Sequence, residues 1–186
     1  ERDVLARLIT FFFPPVIDHI TEMHFIILYP AQNAFFQMGK LNYFKLFLAK
    51  FLNHLNADGV ATFIVQNSLI GDKTCTKIRK LIVDDNNLIR LISFPERDNV
   101  NKRVFKSAKM SVCIVQISKK KNKDDKFSLE VWKDKNKIEG FVTKLDKRIL
   151  KRNVHYRIPI TDKEGLDIYF KIIENTKVMD AKNILD

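Results

Sequence analysis

The chain has 186 residues, 46% of them hydrophobic and 15 of them Phe, with only 5 Gly and 5 Pro. That composition excludes a disordered or collagen-like chain and suffices for one domain with a real core. Its 33 Lys and Arg against 22 Asp and Glu leave a net charge of +11, which favours a polyanionic partner, nucleic acid before an anionic membrane.

An apolar stretch from Phe11 to Pro30 is broken by Pro14, Pro15, Asp18, His19, Glu22 and His24, so no membrane span and no membrane partner are expected. The chain opens on Glu1 without a signal-peptide pattern and reads as a piece of something longer. From Leu41 to Asn56, Phe44, Phe47, Leu48, Phe51, Leu52 and Leu55 form one helical stripe, with Lys45, Lys50, Asn53 and Asn56 off it. Asp58-Gly59 should stop that helix, the glycine being free to turn left-handed. Val60 to Val65, VATFIV, is continuously apolar and predicts a strand covered on both faces.

Thr74 or Thr76 is suited to cap a second helix with Ile78, Leu81 and Ile82 inside, ended by Asp84-Asp85-Asn86-Asn87. Leu88 to Phe94 predicts a strand closed by Pro95. A polar loop, Glu96 to Arg103, follows, and Met110 to Ser118 predicts a third strand. No periodic helix separates these two strands, so they can pair antiparallel. Lys119 to Lys126, KKKNKDDK, predicts an exposed hairpin turn before a strand from Phe127 to Trp132. The charged stretch Lys133 to Arg152 carries a helix near its end, and Tyr156 to Ile160 is extended. Thr161-Asp-Lys-Glu164 is a capping-box pattern opening a helix that contains Leu166, Tyr169, Phe170 and Ile173.

Closely spaced glycines are absent, as are GxGxxG, GKS/GKT and GxSxG patterns. A self-contained nucleotide site or an elbow serine is therefore not expected. Cys75, Cys113 and the scattered His19, His24, His54 and His155 match no disulfide or metal spacing. The cysteines read as small core residues of a reducing, cytoplasmic compartment, and no metal site is expected.

The run Gly39 to Ile70 resembles the middle of adenine-N6 DNA methyltransferases of restriction-modification systems, closest to the type I and type IIG enzymes. Asn42-Tyr43-Phe44 stands where that family has DLY or NLY. Leu55-Asn56-Ala57-Asp58-Gly59 stands for LLKPGG, Val65-Gln66-Asn67-Ser68 for VPNS, and Ile78-Arg79-Lys80-Leu81-Ile82 for LRKLL. A strand, Val104-Phe105 and a last strand ending at Lys119 follow in the family's order.

The resemblance implies an α/β fold: part of a doubly wound, Rossmann-like methyltransferase sheet with a C-terminal helical extension. Residues 1–132 would carry the C-terminal half of the methyltransferase-like domain, and 133–186 a spacer toward a possible target-recognition domain. It implies methyl transfer from S-adenosylmethionine to adenine in DNA, with DNA and a specificity or recognition domain as partners. In the family an Asn-Pro-Pro-aromatic motif orients the adenine amino group and stacks on the flipped base. Here Pro14 and Pro15 match, but Phe13 and Val16 replace the two reacting-site residues. Phe105 and Asn67 are the candidate base-binding residues, and Lys102, Arg103, Lys119, Lys120 and Lys121 the candidate DNA contacts. The glycine-containing turn that binds the methyl donor in the family has no counterpart, so this chain alone is expected neither to bind S-adenosylmethionine nor to be active. The alternative is a non-catalytic, basic nucleic-acid-binding module with a degenerate methyltransferase fold.

Overall fold

The computed structural model describes residues 43–119 and 125–175. Helix α1, Tyr43–His54, buries Lys45, Leu46, Leu48, Ala49 and Leu52 and leaves Phe47 51% exposed. The buried stripe is thus turned away from the expected one. Phe51 reaches sideways to pack edge-on against Phe63, 5.1 Å between ring centres. Lys45 lays its stem into the core and donates from Nζ to the Thr74 carbonyl at 3.3 Å, as a long amphipathic side chain can. Gly59 does not turn left-handed after this helix. Space selects it: a Cβ there would lie 2.7 Å from Leu55 Cδ1 and 3.0 Å from the Asn56 carbonyl oxygen.

Strand β1, Val60–Gln66, buries Ala61, Phe63 and Val65, whereas Val60 and Ile64 are exposed. Two covered faces were expected, but among the described residues only one is covered, because the rings of α1 reach Phe63 and not the alternate residues. A short helix α2, Ser68–Gly71, leads into a 3-10 turn, Lys73–Cys75. Helix α3, Thr76–Lys80, continues into a wider π-type turn, Leu81–Asp85. The cap is Asp72 rather than either threonine: its carboxylate accepts the Thr74 N–H at 2.8 Å, while the Thr76 hydroxyl donates to the Lys73 carbonyl at 2.7 Å. At the far end Asn86 Nδ2 donates to the Leu81 carbonyl at 2.8 Å, so the Asp84–Asn87 segment ends the helical stretch as expected.

Strands β2 (Asn87–Phe94), β3 (Val112–Ser118), β4 (Lys126–Trp132) and β5 (Gly140–Asp146) complete one sheet in the order β1-β3-β2-β4-β5. β3 runs antiparallel between β1 and β2, the pairing anticipated for its contact with β2. β4 lies parallel to β2, and β5 antiparallel to β4. The hairpin expected between β3 and β4 is therefore absent. Both edges of β3 are occupied by β1 and β2, so β4 takes the open edge of β2 and is not paired with β3. Strand β5 was not anticipated: it is largely exposed and lacks a clear apolar alternation. It carries the sheet past the 132/133 division drawn in the sequence.

Helix α4, Lys147–Arg152, is the helix expected near the end of the charged stretch. A 3-10 turn, Val154–Tyr156, follows, then helix α5, Lys163–Asn175. Asp162, one residue inside the expected capping box, accepts the Gly165 N–H at 2.9 Å. Leu166 is buried.

Arg79 joins this C-terminal part to the β1–β2 crossover. It is 1% exposed. Nε donates to the His155 carbonyl at 3.1 Å, Nη1 to Leu69 at 2.8 Å, and Nη2 to Asp72 at 2.8 Å and again to His155 at 2.7 Å. Beside it the Ile158 N–H donates to the Ile70 carbonyl at 3.1 Å. Replacing Arg79 by Met would keep the packing volume and orphan three carbonyls, that of Leu69 buried and those of Asp72 and His155 partly so. The expected loss is about 3–5 kcal/mol of folding stability, measured by urea denaturation; a loss below about 1 kcal/mol would contradict a central role for this side chain.

Candidate nucleic-acid interface

Because β1, β2 and β4 share one direction, their carboxyl ends lie at the same end of the sheet, the position at which open α/β sheets bind ligands. Asn67 follows β1 directly. Its N–H donates to the Ser111 carbonyl at 3.1 Å, and its Oδ1 accepts from the Ser93 hydroxyl at 3.0 Å. Ser93 is fully buried near the end of β2, so Asn67 is anchored to the neighbouring parallel strand, with its NH2 group as the remaining donor. On the other face of β2, since side chains alternate along a strand, Ile92, Phe94 and Val112 form a buried cluster, against which Val104, Phe105, Met110, Ile114 and Trp132 pack. Phe105 is half-buried there, its ring seated on the cluster without being enclosed by it.

The β2–β3 loop is built by its own polar groups. The Glu96 carboxylate accepts the Asp98 and Asn99 N–H groups at 2.8 and 3.0 Å; these backbone donors, Asn99 foremost, hold it below the usual range. Arg103 is only 9% exposed. Its guanidinium donates to the Arg97 carbonyl at 3.2 Å and to the Lys106 carbonyl, so it braces the loop from inside. Lys102, Lys106 and Lys109 are exposed; Lys109 pairs with Asp98 at 3.0 Å.

The remaining candidates lie elsewhere. Ser118 is in register with Val60 and Asn87, so Lys119 sits at the amino ends of β1 and β2, roughly 20 Å from Asn67 at the rise of a strand. Its Nζ donates to the Leu52 carbonyl at 3.1 Å, a cation at the C-terminal turn of α1. Lys120 and Lys121, like Pro14 and Pro15, fall outside the described residues. Asn67, Lys102, Arg103 and Phe105 thus lie at the carboxyl end of the sheet, Arg103 turned into its loop rather than outward, and Lys119 lies at the other end.

Glu130 of β4 escaped the sequence reading. It is 5% exposed. It accepts from Arg90 Nε across the parallel pair and from the Trp132 indole N–H at 3.1 Å, and it lies 3.9 Å from Lys137 Nζ. Burial alone would push this carboxyl up, but Arg90, the indole and Lys137 together outweigh burial and hold it below its ordinary value. A lone acid two residues from the only Trp was the one available signal, and its partner stands 40 positions away.

Among the described residues no three His, Cys, Asp or Glu side chains converge as metal ligands, and no helix is long and apolar enough to cross a membrane. Cys75 and Cys113 are buried and unpaired with each other. Burial pushes the Cys113 thiol up to about 12, which makes it unreactive.

Residues 21–101 match the family described as the Eco57I restriction-modification methylase. The match overlaps the stretch from Gly39 onward whose motifs resemble the same family. Among solved structures the chain is similar to the type IIG restriction endonuclease BpuSI, with 12% identity over 88% of this chain and 21% of that one and a TM-score of 0.54. It also matches the M protein of the type I restriction enzyme EcoKI, with 17% identity over 48% of this chain and 19% of that one, at a TM-score of 0.41. A match to DrdV, solved as a DNA complex, has 19% identity over 76% of this chain and 16% of that one, at 0.46. The chain spans about a fifth of the length of these relatives. No curated protein shows significant similarity to it.

The Glu130 geometry has a pH signature. Its folded pKa is lowered, so its stabilising contribution is present above the ordinary glutamate pKa and is lost as pH falls through the folded value. Glu130→Gln should melt below the wild type at pH 7, by about 1–3 kcal/mol, and the gap should close on acidification. A gap that is constant with pH would show that the carboxylate charge is not what Arg90 and Trp132 hold.

Proposed function

We propose that this chain is the base-facing part of an adenine-specific DNA methyltransferase of a restriction-modification system. S-adenosylmethionine is bound by another part of the complete enzyme, and a specificity or recognition domain selects the site. One observation supports the reading: Asn67 follows β1 and Phe105 lies in the loop after β2, so both stand beyond the carboxyl ends of strands that share one direction, with exposed lysines on the β2–β3 loop. An extruded adenine needs a polar group for its edge and a ring for its face. Asn67, held by Ser93, offers the first and Phe105 the second. Lys102 and Lys106, on the same loop, offer cations to the flanking phosphates. Such binding weakens steeply with salt.

A second reading, a non-catalytic basic nucleic-acid-binding module, is supported by Phe13 and Val16 in place of the reacting-site pair. Both readings use the same DNA-facing end.

Phe105 separates base stacking from packing. In the complete enzyme, Phe105→Ala should weaken binding of target duplex by about 1–3 kcal/mol and leave binding of a duplex abasic at the target position nearly unchanged. Because the ring is half-buried, the stability cost should stay below the roughly 3–5 kcal/mol of a fully buried Phe. An equal loss on both duplexes, or a full core-sized loss of stability with no specific binding defect, would contradict base stacking.

A further inference from the structure

The β4–β5 turn, residues 133–139, lies at the same end of the sheet as Asn67 and Phe105, since β4 runs parallel to β2. It is attached to the β2–β3 loop at two points. The Lys135 N–H donates to the Lys102 carbonyl at 2.9 Å. Trp132, at the base of the turn, packs into the cluster that carries Phe105. Gly140 makes room for that indole: a Cβ there would lie 2.5 Å from Trp132 Cε3 and 2.1 Å from the Val131 carbonyl oxygen.

The turn is also fixed in shape. Asp134 is buried; its carboxylate accepts the Asn136 N–H at 2.8 Å, and its carbonyl accepts the Lys137 N–H at 3.3 Å. Lys137 adopts a left-handed φ of 59° with Nζ 5.8 Å from the Trp132 ring centre. Lys133 and Glu139 close the turn through a backbone bond of 2.8 Å and an ion pair of 2.8 Å. What this rigid frame presents outward is Ile138, 74% exposed, between Lys137 and Glu139, with Lys133 paired to Glu139 and Lys135 half-buried at the loop contact.

An apolar tip held out by an ordered turn that carries three lysines against Asp134 and Glu139, and joined to a second, basic loop, matches the chemistry of duplex DNA. Phosphates take the cations, and an apolar side chain enters a groove against the base edges or a base step. We propose that the β4–β5 turn is a second DNA-contacting arm of the interface, with Lys135 on a phosphate and Ile138 in the groove beside the target base. This rests on the DNA reading of the carboxyl end of the sheet. It adds an element that lies beyond the residues matched by the methylase family.

The test uses the complete enzyme and its target duplex, with binding measured by fluorescence anisotropy across a salt series. Lys135→Gln should weaken binding to all sequences alike and reduce the salt slope by about 1. Ile138→Ser should weaken binding by roughly tenfold with the slope unchanged. Its melting temperature should be that of the wild type, since the side chain is exposed. If the wild type binds DNA and both variants match it in affinity and slope, the arm is overturned while the interface at Asn67 and Phe105 stands. If Ile138→Ser leaves DNA binding intact but breaks association with a recognition subunit or a second copy, the turn is a protein contact and the DNA assignment is wrong. If the wild type binds no duplex at all, the underlying DNA reading fails first.

Discussion

Arg79 places one buried guanidinium against the main-chain carbonyls of Leu69, Asp72 and His155. Burial pushes its pKa down from the usual arginine value, yet its planar fork suits several carbonyls at once in a way no lysine could. The three acceptors belong to the turn after β1 and to the 3-10 turn after α4. One side chain therefore fixes how the chain leaves the end of β1 and where the C-terminal extension docks. The second attachment is weaker but adjacent: the Tyr156 hydroxyl donates to Asp84 at 3.0 Å, and Lys151 pairs with the same carboxylate at 3.0 Å. His155 and Tyr156 hold left-handed φ values of 59° and 56°. Such strain in non-glycine residues persists only where surrounding contacts over-determine it, and the bonds from Arg79 and Asp84 supply those contacts.

With β1 anchored, the direction of the strands does the rest. β3 threads antiparallel between β1 and β2 and leaves those two, and then β4, pointing the same way. The β1–α2 turn, the β2–β3 loop and the β4–β5 turn are brought to one end as a consequence of topology. Each contributes one kind of group: a side-chain amide at Asn67, an aromatic face at Phe105, and cations at Lys102, Lys106 and Lys135. The pair between the exposed Arg90 and the buried Glu130 crosses from β2 to β4, and the same carboxylate holds the Trp132 indole.

Much of this was legible wherever structure is local. The apolar runs of β2 and β3 and the break at Asp84–Asn87 follow from short-range patterns, and the α/β class from their sequence of alternation. What was not legible depends on distant partners. Arg79 looks like one more polar residue beside Ile78 until an acceptor 76 positions away is known. Lys45 reads as surface until its stem is found in the core. The lysine run after β3 resembled a hairpin because a single sequence does not reveal that β3 is already paired on both edges. Of the site, Asn67 and Phe105 were reached through motif resemblance, not through periodicity, since neither residue type at a strand end is distinctive. Glu130 and the β4–β5 turn lay beyond the resemblance and emerged only from the pairing of β4 with β2.

The proposed function requires the carboxyl end of the sheet to meet DNA. Amide hydrogen exchange on the complete enzyme, with and without its target duplex, reads this directly. Protection is expected on DNA binding in residues 95–111 and 133–139 and around Asn67, with the amino ends of β1 and β2 near Gly59, Asn87 and Lys119 unchanged. Protection at Gly59, Asn87 and Lys119 with none in residues 95–111 would contradict it.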